Sequence, residues 1–379
     1  MATGMSNVQL NAEQQKAVTH GDGPLLIVAG AGTGKTTVVT ERILWLIQEK
    51  KMKPEHILAL TFTEKASGEM IERIDRALPY GYLTLWASTF HAFCQRMLEA
   101  HGLDIGIPND FRLVNTTDAW LLVRKNLDRF HLDYYRPLGN PTKFIHALLQ
   151  HFSRCKDEAI EPSAYVEYAK TVQLDMDNPT SPPLDKGRKG GVTEIARIQE
   201  IADAYHTYQQ ILLENSALDF GDLLLYTLRL FRDRPAILEK YRAQFQHVLV
   251  DEFQDTNWTQ YELVKLLAAP RNNITVVSDD DQAIYRWRGA SYNNVLVFAR
   301  DFPTATKVSL VANYRSQQNI LDCAYAFIQH NNPNRLEAQL SDGKTSLGVV
   351  TKKLVANREG TATVEYLHGV TAFDEARAV

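Results

Sequence analysis

Short apolar runs alternate with helix-period stretches along most of this chain. Residues 25–29 are all apolar, and the positions beyond 36 keep a helical period through Val38, Val39, Ile43, Leu44 and Ile47. The pattern repeats at 57–63, 83–91, 248–250, 274–278 and 307–310, where apolar segments close on polar residues. A short apolar run bounded by turn signals reads as a buried strand, and a period near 3.6 reads as a helix laid on it. The chain therefore predicts an α/β fold with a parallel sheet. Between 113 and 217 strand signals vanish. Amphipathic helices are expected at 119–130, 143–152, 162–171 and 194–214, as a helical insert. Within it, residues 177–191 combine proline, glycine and charge and read as a flexible tether, with a DNA contact through Lys186, Arg188 and Lys189 left open. Asn11 and Asp219 are placed to cap helices. Further helices are expected at 320–330 and from Asp374, and a strand pair at 348–355 and 361–367.

Composition narrows the classes. The 379 residues allow two or three domains, and 45% hydrophobic with 23% charged residues is globular composition. A net charge of -4 excludes a bulk polycation, so any nucleic-acid surface must be local. Cys94, Cys155 and Cys323 lie far apart, which points to a reducing, cytoplasmic compartment without a disulfide frame. No apolar stretch reaches ~18 residues, so no membrane partner is expected. His151 and Cys155 lie one helical turn apart but find no zinc-type spacing.

Chemistry gathers where the predicted strands end. Gly30, Gly32 and Gly34 let the backbone curl so that N–H groups face an anion, and the new helix adds its dipole. Lys35 can reach outer phosphates and Thr36 can hold Mg²⁺; the strict pattern has Gly where this chain has Ala29. Asp251 and Glu252 close an apolar strand: beside a phosphate loop the first suits Mg²⁺ and the second suits activation of water. The alternative is a charged strand end facing water. Phe62 and His91 lie where open α/β sheets place ligands, although each also fits packing or a helix start. Gln14 fits either a packing helix or a base contact. Asp279, Asp280 and Asp281 should face inward, near the metal. In Tyr285-Arg286-Trp287-Arg288, aromatics interleave with cations, as in single-strand binding surfaces, or form a core pair. Arg315 can neutralise charge on a γ-phosphate.

The motifs at 29–36, 61–63, 89–91, 251–256, 280–289 and 313–316 are similar, in type and order, to those of the UvrD/PcrA/Rep family of superfamily 1 DNA helicases. The resemblance covers essentially the whole chain and is weakest across 113–217. It implies two RecA-like lobes, with ATP between them and single-stranded DNA across both. Residues 1–112 and 218–290 would form the first lobe, 113–217 its insert, and 291–379 the opening of the second. The later motifs of the family are not found. The resemblance further implies that residues Ala29, Gly30, Ala31, Gly32, Thr33, Gly34, Lys35, Thr36 and Thr37 surround ATP, and that Gln14 contacts adenine and Tyr314 stacks on it. Thr36 and Asp251 would hold Mg²⁺ and Glu252 would be the general base. Gln254, Gln282 and Arg315 would sense the γ-phosphate. Phe62, Thr63, Thr89, His91, Tyr285, Trp287 and Arg288 would touch DNA. The implied activity is ATP-driven 3′ to 5′ movement and unwinding, with single-stranded DNA and duplex junctions as partners and the oligomeric state open. The alternatives are a nucleotide- and DNA-binding lobe without turnover of its own, and the helicase part of a RecB-like helicase–nuclease. Thr37 stands where many members carry arginine, and Ser278 where glycine is common.

Replacing Trp287 by alanine should weaken single-stranded DNA binding by ~1–3 kcal/mol, the range for one stacked base. Fluorescence anisotropy with a labelled oligonucleotide measures it, and a loss well below that range assigns Trp287 to packing.

Overall fold

The computed structural model describes residues 9–78, 85–177, 191–284, 293–339, 350–365 and 367–378. The chain begins with α1 (Ala12–Val18), β1 (Leu25–Ala29), α2 (Lys35–Gln48), β2 (Ile57–Thr61), α3 (Glu64–Ala77), β3 (Trp86–Thr89) and α4 (Phe90–His101). There follow β4 (Arg112–Val114), α5 (Thr116–Lys125), α6 (Ile145–Asp157), α7 (Pro162–Asp177), α8 (Gly191–Glu214) and β5 (Ala217–Asp219). Next come α9 (Phe220–Asp233), α10 (Pro235–Gln244), β6 (His247–Val250), α11 (Trp258–Ala268), β7 (Ile274–Ser278), α12 (Asn293–Asp301) and β8 (Thr306–Leu310). The last elements are β9 (Ala312–Asn313), α13 (Gln318–Ile328), α14 (Leu336–Gln339), β10 (Val355–Ala356) and α15 (Ala372–Ala378). No described helix is long and apolar enough to cross a membrane.

Six strands form one sheet in the order β3-β2-β6-β7-β1-β8, every pair parallel. The α/β expectation holds. Strand side chains alternate between faces, so each apolar run feeds two cores. Leu26, Val28, Leu58, Leu60, Val248 and Val250 join one cluster, with residues of α4, α9 and α11. Leu25, Ile27, Ile57, Ala59 and Leu249 join the other, against α1, α2 and α3. Because all strands run the same way, their carboxyl ends share one edge, where open α/β sheets bind ligands.

The edge strand differs from expectation. Residues 306–310, assigned from the sequence to the second lobe, pair with β1 from Leu25↔Thr306 to Ala29↔Leu310 and extend the first sheet. The predicted strand pair at 348–355 and 361–367 is also corrected. Among the described residues of these spans and the turn between them, only Val355–Ala356 forms a strand, and it pairs with β9 rather than with 361–365, which carries no strand. The tether at 177–191 lies almost wholly outside the described residues.

The helices between β4 and β5 bury their own cluster, in which Phe152 stacks on Tyr205 at 5.1 Å and on Tyr208 at 5.5 Å. The ends of this segment are clasped by β4 pairing with β5, Arg112 opposite Ala217. Asp219 caps α9 in a capping box with Asp222, as its position suggested. The same two carboxylates hold the buried Lys156 of α6, at 2.7 Å and 2.8 Å. Gly221 allows this approach, since a Cβ there would lie 2.9 Å from Lys156 Cδ. Nearby, Asn257 donates to Asp157 Oδ1 at 2.6 Å. Burial nevertheless pushes the Asp157 carboxyl up to about 7.

That shift carries a sign. A carboxyl whose pKa rises on folding costs nothing at low pH and costs stability progressively as pH climbs from its unfolded value toward about 7. Asp157→Asn keeps an acceptor for Asn257 and removes the buried charge. It should stabilise the fold at pH 8, by up to roughly 4 kcal/mol, with the gain fading toward pH 4. Urea denaturation at the two pH values measures this, and equal or absent gains contradict it.

Candidate functional site

The turn between β1 and α2 has an unusual hydrogen-bonding arrangement. Gly32 and Gly34 sit at φ +77° and +85°, conformations that side chains resist. The carbonyls of the loop are all engaged. Thr33 Oγ1 donates to Gly30 O at 2.8 Å, and Asn313 Nδ2 to Ala31 O at 2.6 Å. The Tyr314 N–H donates to Gly32 O at 2.9 Å, and Gln14 Nε2 to Thr33 O at 3.0 Å. With its oxygens held from outside, the loop is left to present N–H groups to an anion. Gly34, the N-cap of α2, places no side chain on the first-turn N–H groups. Packing enforces the arrangement: a Cβ on Gly32 would lie 2.7 Å from Arg315 Cβ.

The loop opens on a cavity of about 270 Å³. Ala31, Gly32, Gly34, Lys35, Thr36 and Thr37 line it, together with Arg73, Glu252, Gln282 and Arg315. β6 ends one residue before Asp251, so both carboxylates leave the sheet edge together. Glu252 adopts φ +48°. Its Oε2 accepts from Lys35 Nζ at 2.8 Å and from Gln254 Nε2 at 2.7 Å. Asp251 is 6% exposed, and burial, with the Glu252 charge next, raises its carboxyl to about 6. Asp255 rises to about 6 for the same two reasons.

The donor chemistry fits a hard divalent cation. Thr36 offers a hydroxyl next to Lys35, Asp251 offers a carboxylate next to the Glu252 that accepts from Lys35, and the Asp255 Oδ1 and Ser278 Oγ atoms are buried without partners. Among the described residues no three His, Cys, Asp or Glu side chains cluster as metal ligands. Mg²⁺ bound through one or two protein oxygens, phosphates and water needs no such cluster.

Other predicted residues lie elsewhere. Ala29 is fully buried in the core under the loop. Gln14 and Thr33 brace the loop from behind. Tyr314 is 41% exposed, and its hydroxyl accepts from Asn11 Nδ2 at 2.9 Å. Gln254 lies behind Glu252: its Oε1 accepts from the Asp279 N–H at 2.9 Å, and Gln282 Nε2 donates to Asp279 Oδ2. The acidic run faces inward as expected, but toward cations rather than the candidate metal position. Asp279, Asp280 and Asp281 all contact Lys352 Nζ, at 2.8, 2.5 and 2.7 Å.

A second, larger hollow of about 980 Å³ lies where the sheet edge meets α6 and α9. Phe62, His91, Phe220 and His151 are on its walls. His91 meets the Phe220 ring edge-on at 5.8 Å, and burial lowers its pKa, which favours the neutral imidazole. Thr63 and Thr89 cap α3 and α4; the Thr89 hydroxyl also donates to Glu64 at 2.7 Å. Tyr285, Trp287 and Arg288 lie outside the described residues. Sequence reasoning missed Arg73 and Asn313 as site members. Arg73 sits mid-helix on an amphipathic face with no local motif. Asn313 was legible as part of a motif, but not as the brace of Ala31.

Residues 10–303 match the family described as UvrD/REP helicase N-terminal domain. The chain is 42% identical over 327 residues to the ATP-dependent DNA helicase PcrA of Bacillus subtilis, covering 86% of this chain and 40% of that protein. It is 37% identical over 370 residues to the protein of that name from Staphylococcus epidermidis, covering 98% of this chain and 45% of that protein. The Leuconostoc citreum protein of that name matches at 37% over 373 residues, covering 98% of this chain and 44% of that protein. The chain thus spans less than half the length of these relatives.

Proposed function

From the premise that this chain belongs to the UvrD/REP helicase family, we propose that it binds ATP with Mg²⁺ beside the 30–36 loop and hydrolyses it in response to single-stranded DNA. The observation that carries this reading is the Glu252 carboxylate, held by Lys35 and Gln254 over a cavity walled by loop amides. The loop N–H groups and Lys35 hold the β- and γ-phosphates. Thr36 and Asp251 are the oxygen donors for Mg²⁺, which when bound neutralises phosphate charge. Once Lys35 turns to phosphate, Glu252 is released to orient a water and accept its proton. Gln282 and Arg315 also line the cavity, and in this reading they contact the γ-phosphate. Thr37, in place of an arginine, leaves the base less tightly held.

DNA is assigned to the larger hollow and the segment after Gln282, through Phe62, His91, Tyr285, Trp287 and Arg288. Phe62 and His91 support this reading because they stand at the sheet edge, beside the exposed Phe220. Residues 9–112 and 218–310 make up the ATP-binding lobe in this reading, with 113–217 as its insert and the segment beyond β8 as the start of a second lobe. The relatives' name as ATP-dependent DNA helicases extends the proposal to ATP-driven movement along one strand, and the 3′ to 5′ direction follows from the family resemblance of the motifs.

The test is ATP hydrolysis by the 379-residue chain, with and without an oligonucleotide, beside Glu252→Gln. The expected result is turnover that rises with DNA and falls at least 100-fold in the variant, on the order of general-base catalysis, while nucleotide binding persists. Binding of both ligands without turnover makes the chain a binding lobe. Failure to bind nucleotide overturns the reading.

A further inference from the structure

Lys352 lies 73 residues from Asp279 in sequence and is 7% exposed. Its ammonium reaches Asp279 Oδ1 at 2.8 Å, Asp280 Oδ1 at 2.5 Å and Asp281 Oδ2 at 2.7 Å. A second buried cation, Arg335, grips Asp281 through two bonds of 2.8 Å. The Leu336 N–H donates to Asp280 Oδ2 at 2.7 Å. Three adjacent carboxylates are thereby held by Arg335, Leu336 and Lys352.

Asp279 is the member that leads into the nucleotide site. Its Oδ1 faces Lys352 and its Oδ2 accepts from Gln282 Nε2. Its own N–H donates to Gln254 Oε1 at 2.9 Å, and Gln254 in turn holds Glu252 at 2.7 Å. An unbroken series of hydrogen bonds therefore runs from Lys352 through Asp279, branching to Gln282 on one side and to Glu252 and Lys35 on the other.

We propose that Lys352 is a positioning residue for the γ-phosphate end of the nucleotide site, fixing Asp279 so that Gln282 and Gln254 are held in place. The inference rests on the reading of the cavity as an ATP site. Without the ammonium, the buried Asp279 carboxylate loses its cation and must reorient, and Gln282 loses a fixed acceptor. The loop is braced by Gln14, Asn313 and Tyr314, none of which bonds to Lys352. ADP binding should therefore be spared, and recognition of a γ-phosphate should not.

The experiment measures the affinity of the 379-residue chain for ADP and for a non-hydrolysable ATP analogue, each with Mg²⁺, by calorimetry. The variants are Lys352→Met and Lys352→Arg, with melting temperatures taken alongside. Lys352→Met should lower the ratio of analogue to ADP affinity by about tenfold, the scale of one charge-assisted hydrogen bond. Lys352→Arg, which keeps the charge but changes the fork, should lower it by about threefold. Where Lys352→Met does not fold, the arginine variant decides alone. A purely structural role would move both affinities together, or only the melting temperature; either result overturns the proposal. A wild-type chain that binds neither nucleotide overturns the ATP reading and this inference with it, whereas a discriminating wild type with equally discriminating variants overturns this inference alone.

Discussion

A single oxygen, Glu252 Oε2, accepts from both Lys35 and Gln254, and the geometry of the whole cavity follows from that convergence. Lys35 begins α2, Glu252 follows β6, and Gln254 is tied to the residue after β7. Three separate strand ends are thus drawn to one point. Glu252 holds a left-handed backbone to be there, a conformation costing about 1–3 kcal/mol for a residue with a side chain. Two charge-assisted hydrogen bonds, at roughly 1.5–3 kcal/mol each, offset that cost. The bond to Lys35 also keeps a cation and a carboxylate in partial burial until a stronger anion arrives.

The sheet makes this convergence possible, and the braces around the loop make it specific. Parallel strands deliver their carboxyl ends to one edge, where polar groups gather without interrupting the cores below. The loop carbonyls would otherwise compete for its amides. Instead they are taken by Gln14 from the first helix and by Asn313 and Tyr314 from the strand beyond β8. Residues more than 280 positions apart thus shape one anion site, and the parallel β1–β8 pairing sets their approach.

Much of this was legible in the sequence, for physical reasons. The apolar runs at 25–29 and 57–61 reported buried strands, and Asn11 and Asp219 reported helix starts through local hydrogen bonds. The convergence of Lys35, Thr36, Glu252, Gln282 and Arg315 on one cavity follows from loops at strand ends. What escaped was non-local. Strand order is not written in any one run, so 306–310 was assigned to the wrong sheet. β4 and β5 are three residues each, too short to show a period of two. The acidic run at 279–281 reads as a metal partner until Lys352 and Arg335 are seen across it, and nothing local at 352 marks that lysine. Gln14 was open between a packing helix and a base contact, and the bond from its amide to Thr33 O is one that only the folded loop reveals.

In the proposed mechanism the cavity exchanges one anion for another: Glu252 holds Lys35 until a phosphate takes it. A crystal structure of this chain with Mg²⁺ and a non-hydrolysable ATP analogue tests that most directly. The account predicts Lys35 Nζ on phosphate oxygen, Glu252 freed but still bonded to Gln254, and the braces from Gln14, Asn313 and Tyr314 unchanged. An analogue bound away from the loop with the Lys35–Glu252 pair intact, or a loop whose carbonyls have lost those braces, would contradict it.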